Sequence, residues 1–342
     1  MKHFPDSGFS GLRDVFLRNR QEKSLSDSRA AVVLNSIETV VDGTDSKIRL
    51  VRGYRKKLGD IIQSSLEFSD DIVNRIPPPL EVSSSSFVSD PYVNAFFTNV
   101  TDLQSIVCHS SEIQDYMEDS HDNNAGCCAL LCMRRSEKTV MGMELSDNIM
   151  RKDVQQVAVS FSDHRIYSPA PSETDTREGL RNCLFQGLVT NALERIVKHR
   201  LASHRLQSKR QMLHARLRQY RQKLIKVKPG TKASVNLAHG IEETSLELGK
   251  TEETMVNEPL LTPQFVLEQV MEVFSKPAEF VQIRKFPLRL NKMGIKISED
   301  SQQPDNMLDL TEVTIGNELP RVVTLATFPR KELLARTVFS DF

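Results

Sequence analysis

Residues 195–228 read RIVKHRLASHRLQSKRQMLHARLRQYRQKLIKVK. Twelve of these 34 residues are Lys or Arg (Arg195, Lys198, Arg200, Arg205, Lys209, Arg210, Arg216, Arg218, Arg221, Lys223, Lys226 and Lys228), three are His, and none is Asp or Glu. Like charges at helical spacing repel by about a few tenths of a kcal/mol per pair. A solvated helix face ordinarily intersperses Glu to remove that repulsion, and this stretch does not. It also carries a heptad seam. One set of positions is Phe185, Ala192, His199, Leu206, Leu213, Tyr220 and Val227. The other is Val189, Ile196, Ser203, Arg210, Leu217 and Leu224. Ten of the thirteen are apolar, and the exceptions, His199, Ser203 and Arg210, sit mid-stretch. A helix capped at Ser172 or Thr174 and stopped by Pro229-Gly230 would hold about 50 residues and run roughly 75 Å at 1.5 Å per residue. Such a helix projects, pairs as a coiled coil, or folds back near Ser203–Ser208.

Outward from this helix, the chain reads as α+β in five segments. Residues 1–45 form an N-terminal helical arm. Ser10 caps a helix from Gly11 to about Glu22, and Ser26 caps a second that ends at Gly43. Residues 46–125 form a helical region. Val51, Tyr54, Leu58, Ile61, Phe68 and Ile72 follow 3–4 spacing over a helix from 46 to 76, with Ser65 breaking the seam. Lys47, Arg49, Arg52, Arg55, Lys56 and Lys57 at its start and Glu67, Asp70 and Asp71 at its end oppose the helix dipole, so a tertiary neighbour or partner is expected to use them. Pro77-Pro78-Pro79 stops it, and Ser83–Ser86 is a polar linker. Asp90 caps and Pro91 opens a helix over 90–118, with Val93, Phe96, Phe97, Val100, Leu103, Ile106 and Val107 inward.

Residues 126–228 hold antiparallel strands followed by the long basic helix. Cys127–Met133, Thr139–Leu145 and Val154–Ser160, continuing through His164–Tyr167, read as strands. A turn at Ser136-Glu137 would make a hairpin of the first two. Residues 229–261 are an acidic linker with Glu242, Glu243, Glu247, Glu252, Glu253 and Glu258. Residues 262–342 form a C-terminal module. Thr262 and Pro263 start a helix buried through Phe265, Val266, Leu267, Val270, Val273 and Phe274. Strands follow at Phe280–Leu290, Gly294–Ile297, Met307–Ile315 and Val322–Phe328, then a terminal helix over Lys331–Val338.

The 342 residues carry 45 Lys+Arg against 45 Asp+Glu, for a net charge of zero. No apolar run reaches the ~18 residues of a membrane span, and Met1–Asp6 lacks the apolar core of a secretory signal. The five cysteines, Cys108, Cys127, Cys128, Cys132 and Cys183, have no regular spacing, which fits reduced thiols in a cytoplasmic setting.

Catalytic motifs are weak. Cys108, His109, His121, Cys127 and Cys128 offer zinc-type donors. Direct Cys-His and Cys-Cys neighbours lack the Cys-x2-Cys spacing that wraps an ion, so no metal is expected. Asp115, Glu118, Asp119 and Asp122 read as a solvated acidic turn. Ser160, Ser162, Asp163 and His164 have the residue types of a triad, but neighbours in a strand point to opposite faces. There is no Gly-x-Ser-x-Gly, phosphate loop or dinucleotide fingerprint, so no cofactor is expected.

The reading that follows is a non-enzymatic structural or assembly protein that uses the basic helix against itself or an acidic protein partner. Leu206, Leu213, Leu217, Tyr220 and Leu224 would form the seam, and Arg205, Lys209, Arg210, Arg216, Arg218 and Arg221 the charged contact. The acidic segment 242–258 is itself a candidate for that contact, and the zero net charge favours this route. The alternative is sequence-nonspecific nucleic-acid binding by the same helix, since no base-reading signature is present. An anionic membrane surface is a further candidate for the helix, and an enzyme without a recognisable motif is a further class.

Overall fold

A computed structural model describes residues 29–119, 126–146, 149–297, 305–316 and 318–333. The helix expected over Gly11–Glu22, its cap Ser10, the Ser26 cap, His121 and Asp122, and residues 334–338 of the expected terminal helix lie outside them. The chain is α+β, with one six-stranded sheet and a very long helix. Its elements sort into two compact units, each built from discontinuous segments: Leu66–Gln186 with Lys276–Phe342, and Met1–Ser65 with Gly187–Ser275. Among the described residues no helix is long and apolar enough to cross a membrane.

The first unit is built on the sheet. Its strands are β1 (Leu80–Glu81), β2 (Cys127–Ser146), β3 (Ile149–Ala170), β4 (Val281–Leu290), β5 (Asn306–Ile315) and β6 (Arg321–Phe328), in the order β3-β2-β6-β5-β4. These five are paired antiparallel. β1 runs parallel to β6 at Leu80↔Ala326 and Glu81↔Thr327, beyond the point where β5 leaves that edge. The unbroken apolar run Cys127–Met133 is explained by cover on both faces. Cys127, Ala129, Leu131 and Met133 enter one core, while Leu130 and Cys132 enter another with Val73, Ile76 and Leu180.

The turn expected at Ser136-Glu137 does not exist. Ser136 pairs with Ser160 and Glu137 with Val159 in mid-ladder, and β2 continues to Ser146, which pairs with Ile149. Arg134–Lys138 contains no Gly, Pro or Asn. Its polar residues alternate between the two faces of a strand, exposed or half-buried on each, and Arg135 lies 4.7 Å over the Phe286 ring. Three register shifts bend this ribbon. At each, β3 carries a residue with positive φ: Ser168 (52°), Asp163 (52°) and Asp153 (60°). Arg321 latches the middle bulge, donating to Asp163 Oδ2 at 2.6 Å and to its carbonyl at 3.1 Å.

Residues 294–297 bridge the outer strands. Val159 N–H donates to Gly294 O and Lys296 N–H to Val157 O, each at 2.8 Å, while Ile297 N–H donates to Arg289 O at 3.0 Å. The space inside is filled by short helices: α3 (Ser86–Ser89), α4 (Pro91–Phe96), α5 (Val100–Cys108) and α6 (Ser111–Asp119). The single helix expected over 90–118 is therefore three helices. Asp90 does cap the first, accepting from Tyr92 and Val93 N–H. Phe96 meets Phe161 edge-on at 5.2 Å, and His164 Nε2–H donates to Phe96 O at 2.8 Å. Burial holds the His164 pKa below its ordinary value.

The second unit is helical. Residues 29–43 form α1. A 3-10 turn over Ser46–Leu50 and α2 (Tyr54–Asn74) replace the single helix expected from 46. Gly53 at φ 72° makes the break. Gly43 is helical rather than a left-handed cap. A Cβ there would lie 2.6 Å from Val189 Cγ1, so its role is close helix packing. Two of the cations at and before the start of α2, Arg49 and Arg55, do find a tertiary neighbour. Glu38 of α1 accepts from Arg49 at 2.8 Å, Tyr54 at 2.8 Å and Arg55 at 2.9 Å, and the Arg49 bond foremost pulls its pKa down to about 2. The remaining helices are α7 (Glu173–Lys226), α8 (Lys232–Asn257) and α9 (Pro263–Ser275), with α10 (Pro277–Phe280) and α11 (Arg330–Leu333) in the sheet unit. α2 and α7 each contribute residues to both units.

Candidate functional site

The basic stretch is helical without interruption from Glu173 to Lys226, 54 residues or roughly 80 Å. Ser172 is its cap, its Oγ accepting from Asp175 N–H at 3.2 Å. No hairpin forms at Ser203–Ser208. The chain turns back after Pro229-Gly230, and the segment read as a linker is the 26-residue helix α8. Thr231 caps α8 by accepting from Ser234 N–H at 3.3 Å.

α7 and α8 pack antiparallel. Lys209 Nζ contacts Glu247 at 2.8 Å, His214 Nε2 lies 3.8 Å from Glu252, and the Tyr220 ring covers Gly240. The expected seam sorts by depth: Leu213 and Leu217 are buried, whereas Leu206, Tyr220 and Leu224 are half-buried. The facing seam on α8 recurs at 3–4 spacing through Ser234, Leu237, Ile241, Thr244, Leu248, Thr251 and Met255, all buried or half-buried. Its hydroxyls are satisfied within the helix. Thr244 Oγ1 donates to Gly240 O at 2.6 Å and Thr251 Oγ1 to Glu247 O at 2.8 Å. Their methyls are left to act as apolar seam members. Sequence reasoning missed α8 because three of its seven seam positions are Ser or Thr. The signal that would have found it is the unbroken 3–4 spacing.

The charges follow the same register. Lys209, Arg216 and Lys223 recur every seven residues along one flank of the α7 seam, and His214 and Arg221 along the other, with Lys228 at the same interval just past the helix end. In an antiparallel pair each flank faces the like flank of the partner helix. On α8 these flank positions are Ala233, Gly240 and Glu247 on one side, and Ala238, Ser245 and Glu252 on the other. Carboxylates therefore meet only the first member of each flank, Lys209 on one and His214 on the other. Lys209 holds the Glu247 carboxyl below its usual pKa by hydrogen bonding.

The distal cations face small neutral residues. Arg216 turns back on its own helix, donating from Nε to Tyr220 Oη at 3.1 Å with its guanidinium 5.4 Å from the ring centroid. Arg205, Arg210, Arg218 and Arg221 are exposed, and among the described residues no carboxylate lies within ion-pair distance of them. The same holds for Lys223, Lys226 and Lys228. Nearer the start of the stretch, Arg195 pairs with Glu272 at 3.3 Å and Arg200 with Asp45 at 3.0 Å. α8 holds five Glu against two Lys, while residues 195–228 hold twelve cations. The acidic segment thus neutralises a minority of the basic helix.

Comparison with known protein families, with curated proteins and with solved structures finds no match to this chain.

The other candidate residues lie in the sheet unit. Cys127 and Cys132 are buried, and desolvation pushes their thiols up to about 12. Cys128 is buried beneath Thr176, whose Oγ1 donates to the Cys128 carbonyl at 2.8 Å. Ser160 pairs with Ser136 at 2.8 Å, and Asp163 is engaged by Arg321, so neither is oriented toward His164. Asp115, Glu118 and Asp119 lie on helix α6.

Proposed function

We propose that this chain is a non-enzymatic assembly protein whose α7–α8 hairpin docks an acidic protein partner as part of a coiled-coil-like contact. One observation carries the reading. Where the basic helix meets the carboxylates of α8, at Lys209–Glu247 and His214–Glu252, it does so at heptad flanks, and the later flank cations have no carboxylate opposite. Flank charges of this kind set partner choice between helices. The same register argues against self-association through the α7 seam. Two copies of α7 would bring cations opposite cations on both flanks in either orientation, and like charges there are destabilising.

Nucleic-acid binding is the second reading, favoured by the excess of exposed cations over α8 acids. Between Arg195 and Asn257 the one Phe, Tyr or Trp is Tyr220, which is half-buried under Arg216, so stacking on bases has no support there.

The test is fluorescence anisotropy of labelled poly-L-glutamate and of a labelled DNA duplex, with the wild type and an Arg216→Glu/Arg218→Glu/Arg221→Glu variant, at low and physiological salt. Poly-glutamate binding that persists at physiological salt and is lost in the variant supports the proposal. Binding of the duplex alone moves the assignment to nucleic acid. Binding of neither overturns both.

A further inference from the structure

We infer that one flank of the distal hairpin, and not the other, is the docking strip, and that it fits an acidic amphipathic helix. The inference rests on the assembly reading above and deepens it by naming the surface and the form of the partner. The argument starts from two exposed aliphatic residues. Ile225 of α7 is 85% exposed and Val235 of α8 is 62% exposed. Their places in the antiparallel register are opposite one another, a few residues beyond the Tyr220–Gly240 contact and close to the Pro229-Gly230 turn. Helical periodicity of 100° per residue puts both next to the flank that carries Arg221 on α7 and Ala238 on α8, and Lys228 follows in the turn just past the end of α7. Arg218 lies on that side as well.

The strip therefore combines two exposed β-branched side chains, a small residue that admits close approach, and three exposed cations without carboxylate partners. The opposite flank, with Arg216 and Lys223 facing Gly240 and Ala233, has cations and the exposed Met212 one turn back on α7, but no pair of exposed aliphatic residues across the two helices. A phosphate backbone asks for cations alone. An apolar stripe edged by carboxylates asks for both features, and such a helix laid along a groove reads as anchors at 3–4 spacing. The occupant is then a third helix, with Leu or Ile set between Ile225 and Val235 and with Glu or Asp toward Arg218, Arg221 and Lys228. It would continue along this flank the carboxylate contact that α8 begins at Glu252.

The experiment uses the full chain and a labelled 28-residue peptide of four heptads, with Leu at the seam and Glu at both flanks, read by anisotropy at physiological salt. A peptide with Gln at the flanks, a DNA duplex and phosphatidylserine vesicles are run beside it. Three variants are compared: Ile225→Ser/Val235→Ser, Arg221→Glu/Lys228→Glu, and, on the opposite flank, Arg216→Glu/Lys223→Glu. All changes are at exposed positions, and circular dichroism checks that helix content is kept. The inference predicts that the Glu peptide binds, that the Gln peptide binds at least tenfold more weakly, and that the first two variants lose at least tenfold while the third loses less than threefold. Equal losses on the two flanks overturn it. Loss on charge reversal with no effect of Ile225→Ser/Val235→Ser also overturns it, while leaving the acidic-partner reading standing. Failure of the Glu peptide where duplex or vesicles bind overturns both.

Discussion

Leu213→Ala tests whether α8 is held on α7 by the seam described above. Leu213 is 0% exposed, although it lies on a helix whose neighbouring residues are mostly solvated. α8, which meets this stretch of α7 at Lys209–Glu247 and Tyr220–Gly240, is the element expected to cover it. The substitution removes three carbons, worth about 0.8 kcal/mol each in transfer from water, and a cavity contribution adds to that. A two-helix seam collapses onto a void more readily than a closed core, so a total of about 2–3 kcal/mol is expected, at the lower end of buried Leu→Ala changes. This loss falls on the local opening of the hairpin. At about 1.4 kcal/mol per factor of ten, amides within Lys232–Asn257 should exchange with deuterium about 30- to 150-fold faster than in the wild type. Amides of β2 and β6 serve as the internal control and should keep their protection. Hydrogen exchange read by mass spectrometry resolves the two regions. Unchanged protection across α8 would refute the packing argument, and so would an equal loss in β2 and β6.

Other consequences follow from single sites. Ser65 is fully buried and its hydroxyl lies 2.6 Å from the Phe274 carbonyl at the end of α9, so Ser65→Ala should destabilise by about 1–2 kcal/mol in denaturant titration. The Glu38 carboxyl is held down to about 2, chiefly by Arg49, against about 4.3 in an unfolded chain. A depressed carboxylate stabilises above the unfolded value, so melting temperature should fall between pH 4.3 and about 2, and Glu38→Gln should flatten that part of the profile. Cys183 is exposed whereas Cys127, Cys128 and Cys132 are buried with raised pKa values, so a maleimide at pH 8 should label Cys183 in the native protein and reach those three only after unfolding.

Features carried by short-range chemistry were legible in the sequence. Asp90-Pro91 and Thr262-Pro263 mark helix starts through a cap and a fixed φ, and both starts are found in the structure. The absence of Asp and Glu from the basic stretch and its heptad seam were visible without coordinates. What escaped were features decided by tertiary context. Ser65 reads as a defect in an apolar seam, yet its buried hydroxyl lies 2.6 Å from the Phe274 carbonyl of α9. Arg134–Lys138 reads as a turn because charged residues alternating between the ribbon's partly solvated faces look like loop residues. α8 reads as a linker because threonine methyls count as apolar only once their hydroxyls bond the helix itself. The opposition of α2's leading cations to its dipole was visible, but not that Glu38 answers it.

The central claim is that the cations α8 leaves without carboxylates are the ones available to a partner. Its most direct test compares Lys209→Gln with Arg221→Gln in affinity for labelled poly-L-glutamate. Each removes one exposed cation from the same helix, but Lys209 is already engaged by Glu247. The account predicts that Arg221→Gln weakens binding by about two- to fivefold, as an exposed ion pair of up to ~1 kcal/mol implies, while Lys209→Gln changes it by much less. Equal losses, or a larger loss from Lys209→Gln, would contradict it.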